Sequence, residues 1–194
     1  LLFTHADEQV LKAFESALGQ LTASGIKAVD ADLDHLLGAP FKLQENGTLI
    51  ACEAAQIHQE LFANGTDDQL DELVKARITR GQTVAASHYV SVQQARAKLQ
   101  PQLDAAIADF DVLLLPTVPV VAPTIQSLDD AAEFNRTNML VLRNPSVFNF
   151  YDLPAASIPL PRSQGELPVG LMVVGKRGAD RDLLALAQAI SASL

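Results

Sequence analysis

The chain has 194 residues, 48% of them hydrophobic and 19% charged: enough to bury a sizeable core, with no apolar run long enough to cross a bilayer. Its formal net charge is −9, with acidic residues such as Asp30, Asp34, Asp68 and Glu72 and no opposing basic stripe, which argues against direct nucleic-acid binding through phosphate neutralisation. A single cysteine, Cys52, rules out an internal disulfide.

The opening Leu1-Leu2-Phe3 shows neither a basic n-region nor a small-residue cleavage site, so a cytoplasmic protein without a signal peptide is expected. The start without Met is compatible with a piece of a longer protein. Val10, Phe14, Ala17, Leu18 and Leu21 recur at helical spacing, with Thr4 as the expected N-cap and Gly25 as the stop. Alternation over Ile26–Leu33 then predicts a short strand, giving a helix-strand opening over 1–40. A helical section over 41–110 follows, with helices predicted at Thr48–Phe62 and Gln69–Thr79 and a long one at His88–Phe110. Pro101 should kink that helix or divide it near Gln100, because proline lacks the amide donor and clashes with the preceding turn. Cys52 lies in a helix interior and reads as buried and inert.

From 111 to 194 the pattern is strand-rich. Val112–Leu115, Ala156–Leu160 and Leu171–Val174 are apolar throughout rather than alternating, as in strands covered on both faces. Pro116–Phe148, with Pro119, Pro123 and Pro145, reads as loops with one short helix around Asp129–Leu142. Asp180 should cap a closing helix that presents Leu183, Leu184, Ala187 and Ile190 to the sheet. The fold class is therefore α/β, a sheet flanked by helices, in one continuous body over 1–194.

Self-contained catalytic sets are missing: there is no G-x-S-x-G, H-E-x-x-H, phosphate loop or Cys-x-x-Cys. His5, His35, His58 and His88 show no ligand spacing, so no metal is expected. Ser87, Ser146 and Ser157 have no base nearby in sequence to activate them as nucleophiles. Tyr89, Gln93 and Arg96 share one face of the long helix. They form either a packed helix start with a surface ion pair, or a pocket wall offering a phenol and a guanidinium to a polar substrate.

Arg77-Ile78-x-x-Gly81, Tyr89-x-x-x-Gln93-x-x-Arg96, Phe110-Asp111-Val112-Leu113-Leu114-Leu115-Pro116-Thr117-x-Pro119, Asn149-x-x-x-Leu153-Pro154-Ala155 and Leu167-Pro168-Val169-Gly170-Leu171 occur in this order. Together, over Arg77–Ile190, they resemble the C-terminal half of the amidase signature family. The resemblance implies a mixed sheet between helices, hydrolysis of an amide or related C–N bond, and no metal or organic cofactor. It further implies a nucleophilic serine, a second serine and a lysine held in a Gly- and Ser-rich N-terminal segment. No adjacent serines occur here, so no catalytic residue is carried over onto this chain, which by itself should be inactive.

In the family, the loops after the strand resembling Val112–Leu115 and before the Asn149 motif lie close to substrate. Thr117, Arg143, Asn144 and Asn149 thereby join Tyr89 and Arg96 as candidates, although Asn149 and Pro154 also suit a plain turn. Arg143, after the apolar run Met139–Leu142, needs a partner, and Pro145 replaces the Thr common in similar sequences. The expected substrate is a small amide or urea-like compound. The alternatives are the amidase subunit of a tRNA-dependent amidotransferase and a non-catalytic binding module. Half of a larger sheet should also bind its missing N-terminal half or a second copy as a homodimer.

Overall fold

The computed structural model describes all 194 residues. Its helices are α1 (Glu8–Ala23), α2 (Asp34–Leu43), α3 (Leu49–Ile57), α4 (Gln59–Ala63), α5 (Glu72–Gln82), α6 (Ala86–Ala106), α7 (Ala131–Phe150) and α8 (Asp180–Ala192). The strands are β1 (Leu113–Pro116), β2 (Ala155–Pro159) and β3 (Gly170–Val174). Two compact units emerge, Leu1–Leu37 with Gln102–Leu194, and Gly38–Pro101. No helix is long and apolar enough to cross a membrane.

The first unit is built on a three-stranded sheet in the order β1-β3-β2, antiparallel throughout, with Leu115 opposite Met172 and Ile158 opposite Leu171. Because strand side chains alternate, Leu171 and Val173 point to one face of β3 and Met172 and Val174 to the other. All four are buried, so the central strand is covered on both sides as its unbroken apolar run predicts. Leu171 and Val173 join Val10, Phe14, Ala17 and Leu21 of α1 and Leu183, Ala187 and Ile190 of α8 in one core, each large side chain contributing about 1.5–3 kcal/mol. The edge strand β2 departs from the expectation: Ala155, Ser157 and Pro159 are exposed and only Ile158 is fully covered.

Four further expectations are corrected. No strand forms at Ile26–Leu33, where the alternation finds no neighbouring strand to pair with and most side chains lie in solvent. Asp7 rather than Thr4 occupies the N-cap of α1; its carboxylate turns instead to the Val121 amide at 2.9 Å. Asp180 lies inside the first turn of α8, whose cap position is Ala179. The region expected to be mostly loops holds the 20-residue helix α7, which continues past Pro145 to Phe150.

Prolines 101 and 145 are tolerated for a shared reason. Each removes the donor for the carbonyl four residues earlier, and those residues, Ala97 and Val141, sit at exposed positions where water can replace it. The long helix α6 accordingly stays one element rather than dividing near Gln100.

The second unit contains no strand. Helices α3 and α5 approach so closely at Gly81 that a Cβ there would lie 1.9 Å from the Ala51 carbonyl oxygen. The predicted helix Thr48–Phe62 is interrupted at His58, dividing it into α3 and α4, and Thr48 caps α3 by accepting from the Ala51 amide at 3.1 Å.

Candidate functional site

Three of the five predicted site residues are joined by short links in the first unit. Thr117 follows β1 and bonds β3 through its backbone, its amide donating to the Gly170 carbonyl at 2.8 Å. Its hydroxyl lies 2.6 Å from that of Ser157 on β2. The two hydroxyls meet beside Gly170, where a Cβ would lie 2.5 Å from Ser157 Oγ and 2.8 Å from Thr117 Oγ1. A glycine inside a strand is thus what allows two edge strands to bring hydroxyls together across the central one.

Asn144 is fully buried in α7. Its Nδ2 donates to the Pro116 carbonyl at 2.9 Å, and its Oδ1 accepts from Arg143 Nε at 3.2 Å. Arg143 continues outward, donating through Nη1 to the Thr4 carbonyl and through Nη2 to the Leu2 carbonyl, each at 2.6 Å. The partners required for this half-buried charge are therefore carbonyl oxygens. Its desolvation lowers the guanidinium below its ordinary value without discharging it. Arg143 ties the first residues of the chain to α7, which gives it a structural role on its own.

Tyr89 and Arg96 belong to the second unit. Tyr89 donates to Glu53 Oε1 and accepts from Gln93 Nε2, both at 3.1 Å, so Tyr89 and Gln93 meet on one face of α6 and the phenol is engaged on both sides. Beside it, His88 Nε2 lies 3.0 Å from the Gly47 carbonyl, which can only accept, so that nitrogen carries the proton. Asn149 occupies the last turn of α7, and the reversal into β2 falls on Tyr151 and Asp152, the latter at φ 55°. Ser146 Oγ donates to the Arg143 carbonyl at 2.9 Å and is occupied in the helix.

Sequence reasoning misses two residues at this site. It considers Ser157 only as a nucleophile, whereas the Ser157 hydroxyl partners Thr117, and it treats Gly170 only as a motif position. The isolated glycine in a strand pattern is the signal that could have found them. A groove of about 650 Å³, lined by Glu8, Gln9, Lys12, Arg162, Ser163 and Glu166 among others, includes none of the five candidates. Within it, Lys12 is matched by Glu8 at 2.6 Å, and the site described above rests on chemistry rather than on that concavity. No three His, Cys, Asp or Glu side chains gather in a way that could hold a metal ion.

Residues 2–184 match the family model described as Amidase. The chain belongs to the amidase family. Among its relatives, a glutamyl-tRNA(Gln) amidotransferase subunit of Haloarcula marismortui is 31% identical over 214 residues, covering 98% of this chain and 49% of that protein. The 2-amino-5-chloromuconic acid deaminase of Comamonas testosteroni is 27% identical over 186 residues, with 96% and 40% covered. The crystal structure of the K. lactis urea amidolyase superposes with a TM-score of 0.83 at 25% identity, covering 97% of this chain and 11% of that one. The α/β architecture is thus that of amidase family enzymes, and the chain spans about half the length of the curated relatives it matches.

Proposed function

We propose that this chain is the C-terminal portion of an amidohydrolase that cleaves a C–N bond of a small amide or urea-like compound. The observation that carries the reading is the family match over residues 2–184 in a sequence without adjacent serines. The nucleophilic serine, its companion serine and the lysine belong to sequence outside this chain. In the complete reaction the serine adds to the substrate carbonyl, ammonia or an amine leaves, and water hydrolyses the acyl-enzyme. This chain contributes a wall of the acyl pocket, where the Thr117 and Ser157 hydroxyls offer a donor and free lone pairs to the polar group of the substrate. Ser157 is not the nucleophile, since its partner is a hydroxyl of ordinary basicity rather than a base able to take its proton.

No strand lies outside either outer strand, β1 or β2, and β2 is exposed along most of its length. Such edges invite the remaining half of the enzyme or a second copy. The test is an assay of the purified chain on acetamide, benzamide, urea and biuret beside a longer form that includes paired serines and a preceding lysine. Turnover by the longer form alone supports the reading; equal turnover by the isolated chain sinks it.

A second reading is the amidase subunit of a tRNA-dependent amidotransferase, favoured by the 31% identity to a glutamyl-tRNA(Gln) amidotransferase subunit. The net charge of −9 then favours tRNA contact through a partner subunit over direct contact by this chain. Affinity capture that brings down other amidotransferase subunits decides for it.

A further inference from the structure

Asparagine in the middle of a helix is a poor local choice, and a fully buried one requires partners for both ends of its amide. Asn144 has them, and the partner of its Nδ2 is not in the helix. In an antiparallel ladder, successive residues of an edge strand turn their backbone groups alternately toward the neighbour and away from it. Thr117 turns toward β3, its amide bonding the Gly170 carbonyl, so the Pro116 carbonyl points away from the sheet. Pro116 is itself buried, and no further strand lies on that side of β1. The side-chain amide of Asn144 takes the place of the missing strand.

The same segment is held again three residues later, where the Asp7 amide donates to the Pro119 carbonyl at 2.8 Å and the Asp7 carboxylate accepts from the Val121 amide at 2.9 Å. Asp7 fixes the far end of the turn, and Asn144 fixes the end that carries Thr117. Of the two protons in the Thr117–Ser157 hydroxyl pair, one is shared between them and the other is available to a ligand. Where that proton points depends on Thr117, and Thr117 depends on the carbonyl beside it.

We infer that Asn144 is a positioning residue for substrate: it touches none itself, but by holding the Pro116 carbonyl it aims the Thr117 hydroxyl at the polar group of the bound amide. Arg143 supports it by fixing the amide through Oδ1, so that Nδ2 faces the carbonyl. This inference rests on the reading of Thr117 as part of the acyl pocket wall.

The test is a double-mutant cycle in the full-length enzyme that carries this chain, measuring kcat and KM on a panel of small amides, urea and biuret, with thermal midpoints recorded alongside. Thr117→Val keeps the shape and removes the hydroxyl; Asn144→Asp keeps the shape and removes the donor to Pro116. Each alone should lower kcat/KM about tenfold, the worth of one hydrogen bond to the reacting complex. In the Thr117→Val background, Asn144→Asp should lower it less than about twofold further, because what it aims is gone. A merely structural Asn144 would give additive losses, which overturns the inference and leaves the reading of Thr117 intact. An unaffected kcat/KM in Thr117→Val overturns the reading of the wall, and a wild-type enzyme inactive on the whole panel removes both. If Asn144→Asp does not fold, Asn144→Ser, whose shorter side chain no longer spans to the Pro116 carbonyl, enters the same cycle, and additivity there again overturns the inference.

Discussion

The Tyr151 hydroxyl donates to the Leu36 carbonyl at 2.6 Å, and both residues are buried. That carbonyl lies four residues before Pro40 in α2, and proline has no amide hydrogen to give it. A phenol from a distant part of the chain thus supplies the bond that the helix itself cannot. Tyr151→Phe should therefore leave a buried acceptor unpaired and destabilise the first unit by about 1–3 kcal/mol.

The same residue sets an alkaline limit. Burial pushes the Tyr151 phenol up to about 12 from the ordinary value of 10.0. Below pH 10 both folded and unfolded chains hold the proton and the contribution is fully present. Between about 10 and 12 the unfolded chain releases it and the folded chain does not, so stability falls by about 1.4 kcal/mol per pH unit. Urea midpoints measured from pH 8 to 11.5 should drop along this limb for the natural sequence and less steeply for Tyr151→Phe. Parallel curves would mean that Tyr151 ionises freely in the folded state.

Gly170→Ala tests the close approach at the strand ends. The added Cβ meets Ser157 Oγ at 2.5 Å and Thr117 Oγ1 at 2.8 Å, both too near to stand unchanged. A cost of about 1–3 kcal/mol is expected from forcing them apart. Adding Ser157→Ala removes the nearer atom, so the double variant should be more stable than the sum of the single effects predicts. Strict additivity in urea denaturation would show that the hydroxyls simply rotate away.

The sheet was legible in the sequence to within a residue at most strand ends, because Leu113–Pro116 and Gly170–Val174 are unbroken apolar runs closed by Pro or Gly. Helix α1 was legible for a related reason: Val10, Phe14, Ala17 and Leu21 repeat at helical spacing and are all buried. Helix α7 was not. Asn135, Asn138, Asn144 and Pro145 each weigh against a helix locally, and only tertiary burial of Thr137, Asn144, Val147, Phe148 and Phe150 outweighs them. Arg143 and Asn144 stand out by residue type and motif, but the carbonyls that they hold, on Leu2, Thr4 and Pro116, are brought to them only by the fold. Periodicity can show which face is buried; it cannot show which backbone group will be left without a partner.

Two glycines in helices should respond to the same substitution with opposite signs. Gly19, on α1, has nothing within 4 Å of the place an added methyl group would take, so Gly19→Ala should stabilise by about 0.5–1 kcal/mol through helix propensity. At Gly81 the methyl group would meet the Ala51 carbonyl oxygen at 1.9 Å and its carbon at 2.4 Å, backbone atoms that cannot rotate aside. Gly81→Ala should cost about 3 kcal/mol or more and accelerate hydrogen exchange in α3 and α5. Similar shifts in both variants would contradict the close helix contact.

Cys52 reports on that same contact. Its amide bonds the Thr48 carbonyl at 3.2 Å inside α3, and the side chain is half-buried. Burial pushes the thiol up from its ordinary value, and the neighbouring Glu53 charge acts in the same direction. Since the thiolate is the reactive form, modification by a disulfide reagent at pH 7.5 should be about tenfold or more slower in the folded chain than in urea. A Cβ on Gly81 would lie 3.0 Å from the Cys52 amide nitrogen, so Gly81→Ala, by separating the helices, should bring the folded rate toward the unfolded one. Equal rates in folded and unfolded wild-type chain would show instead that Cys52 is an open thiol.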